Sequence, residues 1–250
     1  MKTSGQSLYR LRAWRSAFTW ARDAGPGDSV TFLFDNHKAE LVDRFAADHP
    51  WISVRHVEGT DHQGEYKGRG GDKSLALLAQ HLKTRAVVDS YRTGPVPDWV
   101  CYLDDDMRVN KEDLLELSPG CSPDCLVADG EDFNGIPYTV GGYCMQSNLV
   151  GRLAELFATE TDAEIGWTGT DDVDFNKHVM QDALGVTVTS SERWYSEFAF
   201  PEVEEDGFRK HSMHEGATDW RERKRTVQKD GEFMARFVPS VAVYHMSYDQ

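Results

Sequence analysis

One stretch constrains this chain more than any other. Trp99-Val-Cys-Tyr-Leu103 is an apolar run that passes without interruption into Asp104-Asp105-Asp106, and Gly94-Pro-Val-Pro97 breaks the chain just before it. A short, continuously apolar run bounded by such a break predicts a buried strand. In open α/β sheets, ligands bind at the carboxyl ends of strands. Three adjacent carboxylates at such an end repel one another and invite a cation. If the backbone stays extended, Asp104 and Asp106 point to one side and Asp105 to the other. Carboxylates combined with diphosphate oxygens suit Mn²⁺ or Mg²⁺. The competing explanation is an acidic surface turn.

The rest of the chain alternates helical and extended patterns, which predicts an α/β fold with a mostly parallel central sheet covered on both faces. Leu8, Leu11, Arg15 and Phe18 recur at helical spacing and predict a helix over Gln6 to Ala21. Strands are predicted at Val30 to Phe34 and Ile52 to Val57, with a helix between them from Ala39 to Ala47. A glycine-rich loop, Gly64 to Gly71, leads to a helix from Asp72 to Asp89 with Leu75, Leu78, Leu82 and Val87 inward. Beyond the acidic triplet, Lys111 to Leu117 reads as a short helix, and Leu126 to Ala128 and Ile136 to Val140 read as extended. Helices follow at Ser147 to Thr159 and Asp171 to Leu184, then a strand at Val186 to Val188. Glu202 to Gly231 is charged and poor in apolar residues and reads mostly as loop, and Phe233 to His245 returns to strand character. No linker divides the 250 residues, so a single domain over 1–250 is expected.

A net charge of −15 argues against nucleic acid, whose phosphates need lysine and arginine footprints. It argues equally against contact with an anionic membrane. A free nucleotide would also be repelled, unless a divalent cation stood at its phosphates. No apolar run reaches the roughly 20 residues of a membrane span. The four cysteines permit disulfides without requiring them. Cys121 and Cys125 form a close pair with no second pair at ligand spacing, which argues against structural zinc. Buried free thiols would account equally well for Cys101 and Cys144.

Three further sites could carry chemistry. Thr170-Asp171-Asp172-Val173 follows Gly166-Trp-Thr-Gly169. Thr170 can cap the next helix with both carboxylates in its first turn, or one carboxylate can serve as general base toward an acceptor hydroxyl. Gly141-Gly142-Tyr143-Cys144 is either a plain tight turn or a place where backbone approaches a ligand closely. His245 ends the run Val238-Pro-Ser-Val-Ala-Val-Tyr244, where a histidine is either structural or a ligand delivered by a strand.

The order of these motifs resembles the Fringe-like glycosyltransferases, inverting β1,3-sugar transferases. Trp99-Val-Cys-Tyr-Leu-Asp-Asp-Asp-Met-Arg-Val-Asn110 is similar to their metal strand, with its Trp, Cys and closing Val-Asn. Lys2-Thr3, Arg12 and Thr19-Trp20 are similar to the family's opening motif, and Asp72-Lys73 to the lysine that opens the helix before the metal strand. Gly142-Tyr-Cys144, Gly169-Thr-Asp-Asp172 with Leu184-Gly-Val186, and Val241-Ala-Val-Tyr-His245 match the later motifs in order. The likeness spans nearly the whole chain. Thr139-Val-Gly-Gly142 departs from the family's Gly-Gly-Ala-Gly turn, and the family's first strand falls ahead of Lys2.

The resemblance implies a GT-A, Rossmann-like domain that binds a nucleotide-sugar. It implies a UDP-sugar donor, a glycan or glycoprotein acceptor, Mn²⁺ or another divalent cation, and a Golgi-lumen or secretory setting. It assigns the metal to Asp106 and His245, and donor contacts to Thr3, Lys73, Asp104, Asp105, Gly141 and Gly142. Asp172 is the implied catalytic base, with Asp171 as the alternative. Cys101 and Cys144 match cysteines that are paired in the family, and Cys121–Cys125 is the second candidate pair. Two rival functions remain on the sequence. A nucleotidyl or phosphoryl transferase would use the same triplet with two metals and more inward carboxylates. A non-catalytic or degenerate family member would bind the nucleotide-sugar without turnover.

Overall fold

A computed structural model of the chain describes residues 1–3, 7–24, 27–35, 38–60, 73–105, 107–109, 124–128, 132–133, 136–137, 139, 141–167, 173–191, 194–195, 202–204, 207–209 and 243–245. Helix α1 (Ser7–Phe18) runs into a 3₁₀ turn at Trp20–Asp23. Strand β1 (Thr31–Phe34), helix α2 (Ala39–Asp48) and strand β2 (Ser53–His56) follow. Helix α3 (Lys73–Ser90) leads to β3 (Trp99–Leu103) and β4 (Met107–Val109). Then come β5 (Leu126–Ala128), β6 (Asp132–Phe133), β7 (Ile136–Pro137) and β8 (Gly142–Gln146). Helices α4 (Ser147–Thr159) and α5 (Asp162–Ile165) precede a wide helix, α6 (Phe175–Ala183). Strands β9 (Val188–Ser190), β10 (Trp194–Tyr195), β11 (Glu202–Glu204), β12 (Gly207–Arg209) and β13 (Val243–His245) complete the described elements.

The central sheet has the order β3-β8-β5-β9. It is mixed, where a mostly parallel sheet was expected. β8 runs antiparallel to both β3 and β5, whereas β5 and β9 are parallel. A strand buried on both faces has the same apolar pattern in either direction, so sequence patterning carries burial but not polarity. β1 and β2 pair in parallel beside it. The opening residues close the gap between the two sheets. Lys2 bridges to both Leu33 and Asp104 in parallel sense, with Lys2 N–H donating to Leu103 O at 2.8 Å and Thr3 N–H to Leu33 O at 3.0 Å. Leu33 N–H returns a bond to Met1 O at 2.8 Å.

The largest apolar cluster joins Tyr102, Leu126, Tyr143 and Met145 of the sheet to Leu149, Val150, Leu153 and Phe157 of α4. Those four α4 residues repeat at helical spacing, which makes one stripe facing the sheet. Helix α5 starts on a reciprocal cap. Thr161 Oγ1 accepts from Glu164 N–H at 3.3 Å, and Glu164 Oε2 accepts from Thr161 N–H at 2.8 Å. The Thr161 N–H and then its hydroxyl, both donating to Oε2, hold the Glu164 carboxyl below its usual range. Gly166, at φ 81°, ends the helix in the left-handed region and turns Trp167 into the core. There Trp167 stacks on Phe157 at 5.6 Å and meets Phe175 of α6 at 5.5 Å.

Three local expectations change. α1 forms where its periodicity places it, but Leu11 and Phe18 are 62% and 51% exposed, and the buried face is Ala13, Ser16 and Ala17. Ala13 and Ala17 pack with Met1, Phe32, Phe34 and Val42, and Ser16 reaches Asp105, so this face of α1 carries small side chains. The segment read as an α-helix to Leu184 widens over Phe175–Ala183, and its exit bond runs from Leu184 N–H to Val179 O at 3.2 Å. Within the expected loop at 202–231, β11 and β12 form an antiparallel hairpin around a single apolar pair, Val203 opposite Phe208. One such pair is too short a pattern to register as alternation. Residues 111–117 and the glycine-rich loop at 64–71 lie outside the described residues.

Cys101 and Cys144 form a disulfide. They stand opposite each other in the β3–β8 ladder with Cα atoms 4.0 Å apart. Cys125 is also disulfide-bonded, and Cys121 lies outside the described residues. A closed loop the size of that between Cys101 and Cys144 contributes about 4 kcal/mol on the chain-entropy model. The double variant Cys101→Ala, Cys144→Ala is therefore expected to lose about 2–4 kcal/mol in urea unfolding. An unchanged midpoint would show that the ladder alone fixes these strands.

Candidate active site at the end of strand β3

Strand β3 delivers Asp104 and Asp105 to the edge where Met1–Thr3 joins the sheet. Their side chains diverge because the chain leaves the extended form after Asp104, entering a turn closed by Met107 N–H donating to Asp104 O at 3.2 Å. Asp104 is partly exposed, and its carboxylate pairs with Lys2 Nζ at 3.0 Å. Its N–H donates to Gly141 O at 3.1 Å, which ties the acidic motif to the glycine turn. Asp105 turns inward and is 4% exposed. Its Oδ2 accepts from Thr3 Oγ1 at 2.7 Å, and its Oδ1 lies 3.4 Å from Arg12 Nη1. A carboxylate taken out of water is tolerated only with such partners.

Thr3 and Asp105, both expected at the donor, thus hold each other beneath the motif. Below Thr3 lies a buried lysine. Lys83 of α3 is 1% exposed and donates from Nζ to the Thr3 carbonyl at 2.6 Å. Sequence reasoning missed it, although a usable signal existed. Lys83 interrupts the inward side of a helix whose neighbours Thr84 and Ala86 are buried too. A lysine in such a row needs a partner.

Gly141 and Gly142 adopt φ 76° and 123°. Gly142 N–H donates to Thr139 O at 2.9 Å, closing the turn. A Cβ on Gly142 would stand 2.1 Å from Tyr102 O and 2.8 Å from Leu103 Cα. The close approach that demands glycine there is to β3 itself.

Beyond the motif, β4 pairs antiparallel with β13, and the register sets His245 opposite Met107. β10 pairs with the other edge of β13, and Trp194 packs with Leu103, Met107, Val109 and Cys144. The chain's last described strand therefore reaches the residue that follows Asp106. Lys73 opens α3. Asp106, Asp171 and Asp172 lie outside the described residues, as do the side chains of Lys73 and His245. Among the described residues, no cluster of three or more His, Cys, Asp or Glu forms a ready cation site. With Asp105 committed to Thr3 and Arg12, Asp104 is the carboxylate of the motif that stays partly exposed among the described residues.

α1 and the 3₁₀ turn after it also brace the motif. Trp20 Nε1 donates to Met107 O at 3.2 Å, and Ser16 Oγ reaches Asp105 O at 3.5 Å. Ser16 was not singled out in the sequence. Its signal is its place in the small-residue face Ala13, Ser16, Ala17. No helix among the described residues is long and apolar enough to cross a membrane.

Comparison with solved structures finds two of the glycosyltransferase GlyE from Streptococcus pneumoniae TIGR4. One is 14% identical with TM-score 0.45, over 98% of this chain and 53% of that chain. The other, an apo form, is 12% identical with TM-score 0.45, over 100% of this chain and 55% of that chain. A glycosyltransferase involved in glycosylation of the major capsid of PBCV-1 is similar at 12% identity and TM-score 0.33, over 65% of this chain and 82% of that one. The chain spans about half the length of the GlyE chains it matches. No protein-family model matches the sequence, and no curated protein matches it.

Proposed function

We propose that the chain is a metal-dependent, inverting glycosyltransferase domain of the GT-A type, moving a sugar from a UDP-sugar to an acceptor hydroxyl in β1,3 linkage. The observation that carries the proposal is the β4–β13 register. It brings the backbone of His245 level with Met107, next in sequence to the acidic motif. Two apolar strands from distant parts of the chain thereby end at one edge of the fold. Nothing in a purely structural histidine requires that coincidence.

In this proposal Asp106 and His245 hold the divalent cation, whose charge offsets that developing on the departing diphosphate. Asp104, tied to Lys2 and to the glycine turn, contacts the donor's sugar or ribose. Lys73 meets the nucleotide from the start of α3. Asp105 and Thr3 form the floor that holds Asp104 in place. Asp172 accepts the proton of the acceptor hydroxyl as its oxygen attacks the anomeric carbon. The bond from that carbon to the diphosphate oxygen breaks, and UDP leaves with the electron pair. The disulfide at Cys101–Cys144 fits an oxidising compartment such as the Golgi lumen.

The test is a screen of UDP-sugars for Mn²⁺-dependent UDP release, repeated with His245→Ala. The wild type should release UDP from one donor only when Mn²⁺ is present. His245→Ala should raise the Mn²⁺ requirement at least about tenfold, with its circular dichroism unchanged. Release of pyrophosphate instead of UDP would assign the site to nucleotidyl transfer. UDP binding by calorimetry without turnover of any donor would make the chain a binding module.

A further inference from the structure

The backbone at Asp105 and at Met107 is held by side chains of α1 and of the 3₁₀ turn that follows it. Met107 is fully buried. Its N–H donates to Asp104 O at 3.2 Å, its carbonyl accepts from Trp20 Nε1 at 3.2 Å, and it faces His245 across the β4–β13 ladder. On the near side of Asp106, the Asp105 carbonyl receives Ser16 Oγ at 3.5 Å. A buried carbonyl needs a donor, and a side chain that supplies it also fixes where the backbone lies. The Trp20 ring packs between two apolar clusters. One contains Met1, Phe32 and Phe34, and the other contains Leu103, Met107 and Trp194. The indole is therefore wedged on its apolar sides and directed by its single N–H.

We infer that Trp20 is a positioning residue, whose indole N–H fixes Met107, next in sequence to Asp106 and opposite His245 in the β4–β13 ladder, and so sets the affinity of the proposed site for a divalent cation. This rests on the proposed assignment of Asp106 and His245 as the donors. Trp20 itself touches neither cation nor substrate. The bland alternative is that the ring only fills space. Trp51 supplies the comparison, because its Nε1 donates to Ala17 O at 3.0 Å, a carbonyl of α1 rather than of the motif. Both tryptophans anchor α1 regions through one indole bond, but only Trp20 reaches the chain beside Asp106.

The experiment counts free Mn²⁺ by its electron paramagnetic resonance signal while the full chain is titrated with Mn²⁺ in the presence of UDP. Trp20→Phe keeps an aromatic ring and removes the donor. It should weaken Mn²⁺ binding roughly tenfold, the range expected when a residue supporting a metal ligand is lost. Trp51→Phe should stay within about twofold of wild type, even if it lowers the melting temperature as much. Equal Mn²⁺ affinity in Trp20→Phe and wild type overturns the inference and leaves the proposed function standing. A wild-type chain that takes up no Mn²⁺ with UDP overturns the proposed metal site, and the inference with it. Should Trp20→Phe fail to fold by circular dichroism, Ser16→Ala decides. A weaker Mn²⁺ affinity there supports the inference, and an unchanged one overturns it.

Discussion

Asp172→Asn is expected to lower sugar transfer by about 10²–10⁴-fold, the usual contribution of a positioned general base. UDP affinity should stay within about twofold of wild type, since a base acts on the acceptor and not on the nucleotide. Asparagine keeps the shape of the side chain and its ability to accept a cap bond, but it cannot take a proton. Transfer assays with a fixed donor and acceptor, run beside UDP calorimetry, separate the two effects. If Asp172→Asn transfers normally while Asp171→Asn is inactive, the two roles exchange. If both variants transfer normally, the base lies elsewhere.

Gly142→Ala should be strongly destabilising, more so than an added methyl at Gly27, Gly59, Gly94, Gly151, Gly166 or Gly185. Its Cβ would stand 2.1 Å from one backbone atom of β3 and 2.8 Å from another. Neither can yield without parting Leu103 from Gly142 in the β3–β8 ladder. The residue also holds φ 123°, where an L side chain is strained whatever the space. A loss of about 3 kcal/mol or more in urea unfolding follows from a clash and a backbone outlier together. Gly151 gives the internal contrast. It lies within α4 with nothing within 4 Å of an added Cβ, so Gly151→Ala should gain about 0.5–1 kcal/mol through helix propensity. Equal effects at the two positions would remove the steric account.

Most of the strand and helix placements were legible, because an apolar strand such as Trp99–Leu103 or a stripe such as Leu149, Leu153 and Phe157 declares itself by period and length. Direction was not legible. The glycine turn signal at Gly141-Gly142 hides the strand β8 at Gly142–Gln146 altogether, and nothing in it sets a direction, so the mixed sheet had to be seen. The turn that begins after Asp104 and carries Asp105 inward was not legible either, nor were the partners of its carboxylate. Thr3, Arg12 and Lys83 come from three separate elements, and only tertiary packing joins them. The same holds for Trp20, whose indole bond to Met107 leaves no trace in local pattern. The Cys101–Cys144 pair was accessible through resemblance, since composition alone allowed free thiols equally well.

The wide helix at Phe175–Ala183 bears on how this region tolerates changes in length. A segment hydrogen-bonded one residue further back than an α-helix holds an extra residue in the same turn. Deleting one residue there can restore ordinary α-helical bonding instead of breaking it. Val179 and Met180 could keep their places in the core, because the ladder re-forms around them. Residues ahead of the deletion, Phe175 against Tyr143 among them, would be swung about the axis by roughly one residue's turn, about 100°. Asp171 and Asp172 precede Val173, Asp174 and this helix in the sequence. A one-residue deletion here is thus a change of bearing for whatever leads into the helix more than a loss of the helix itself.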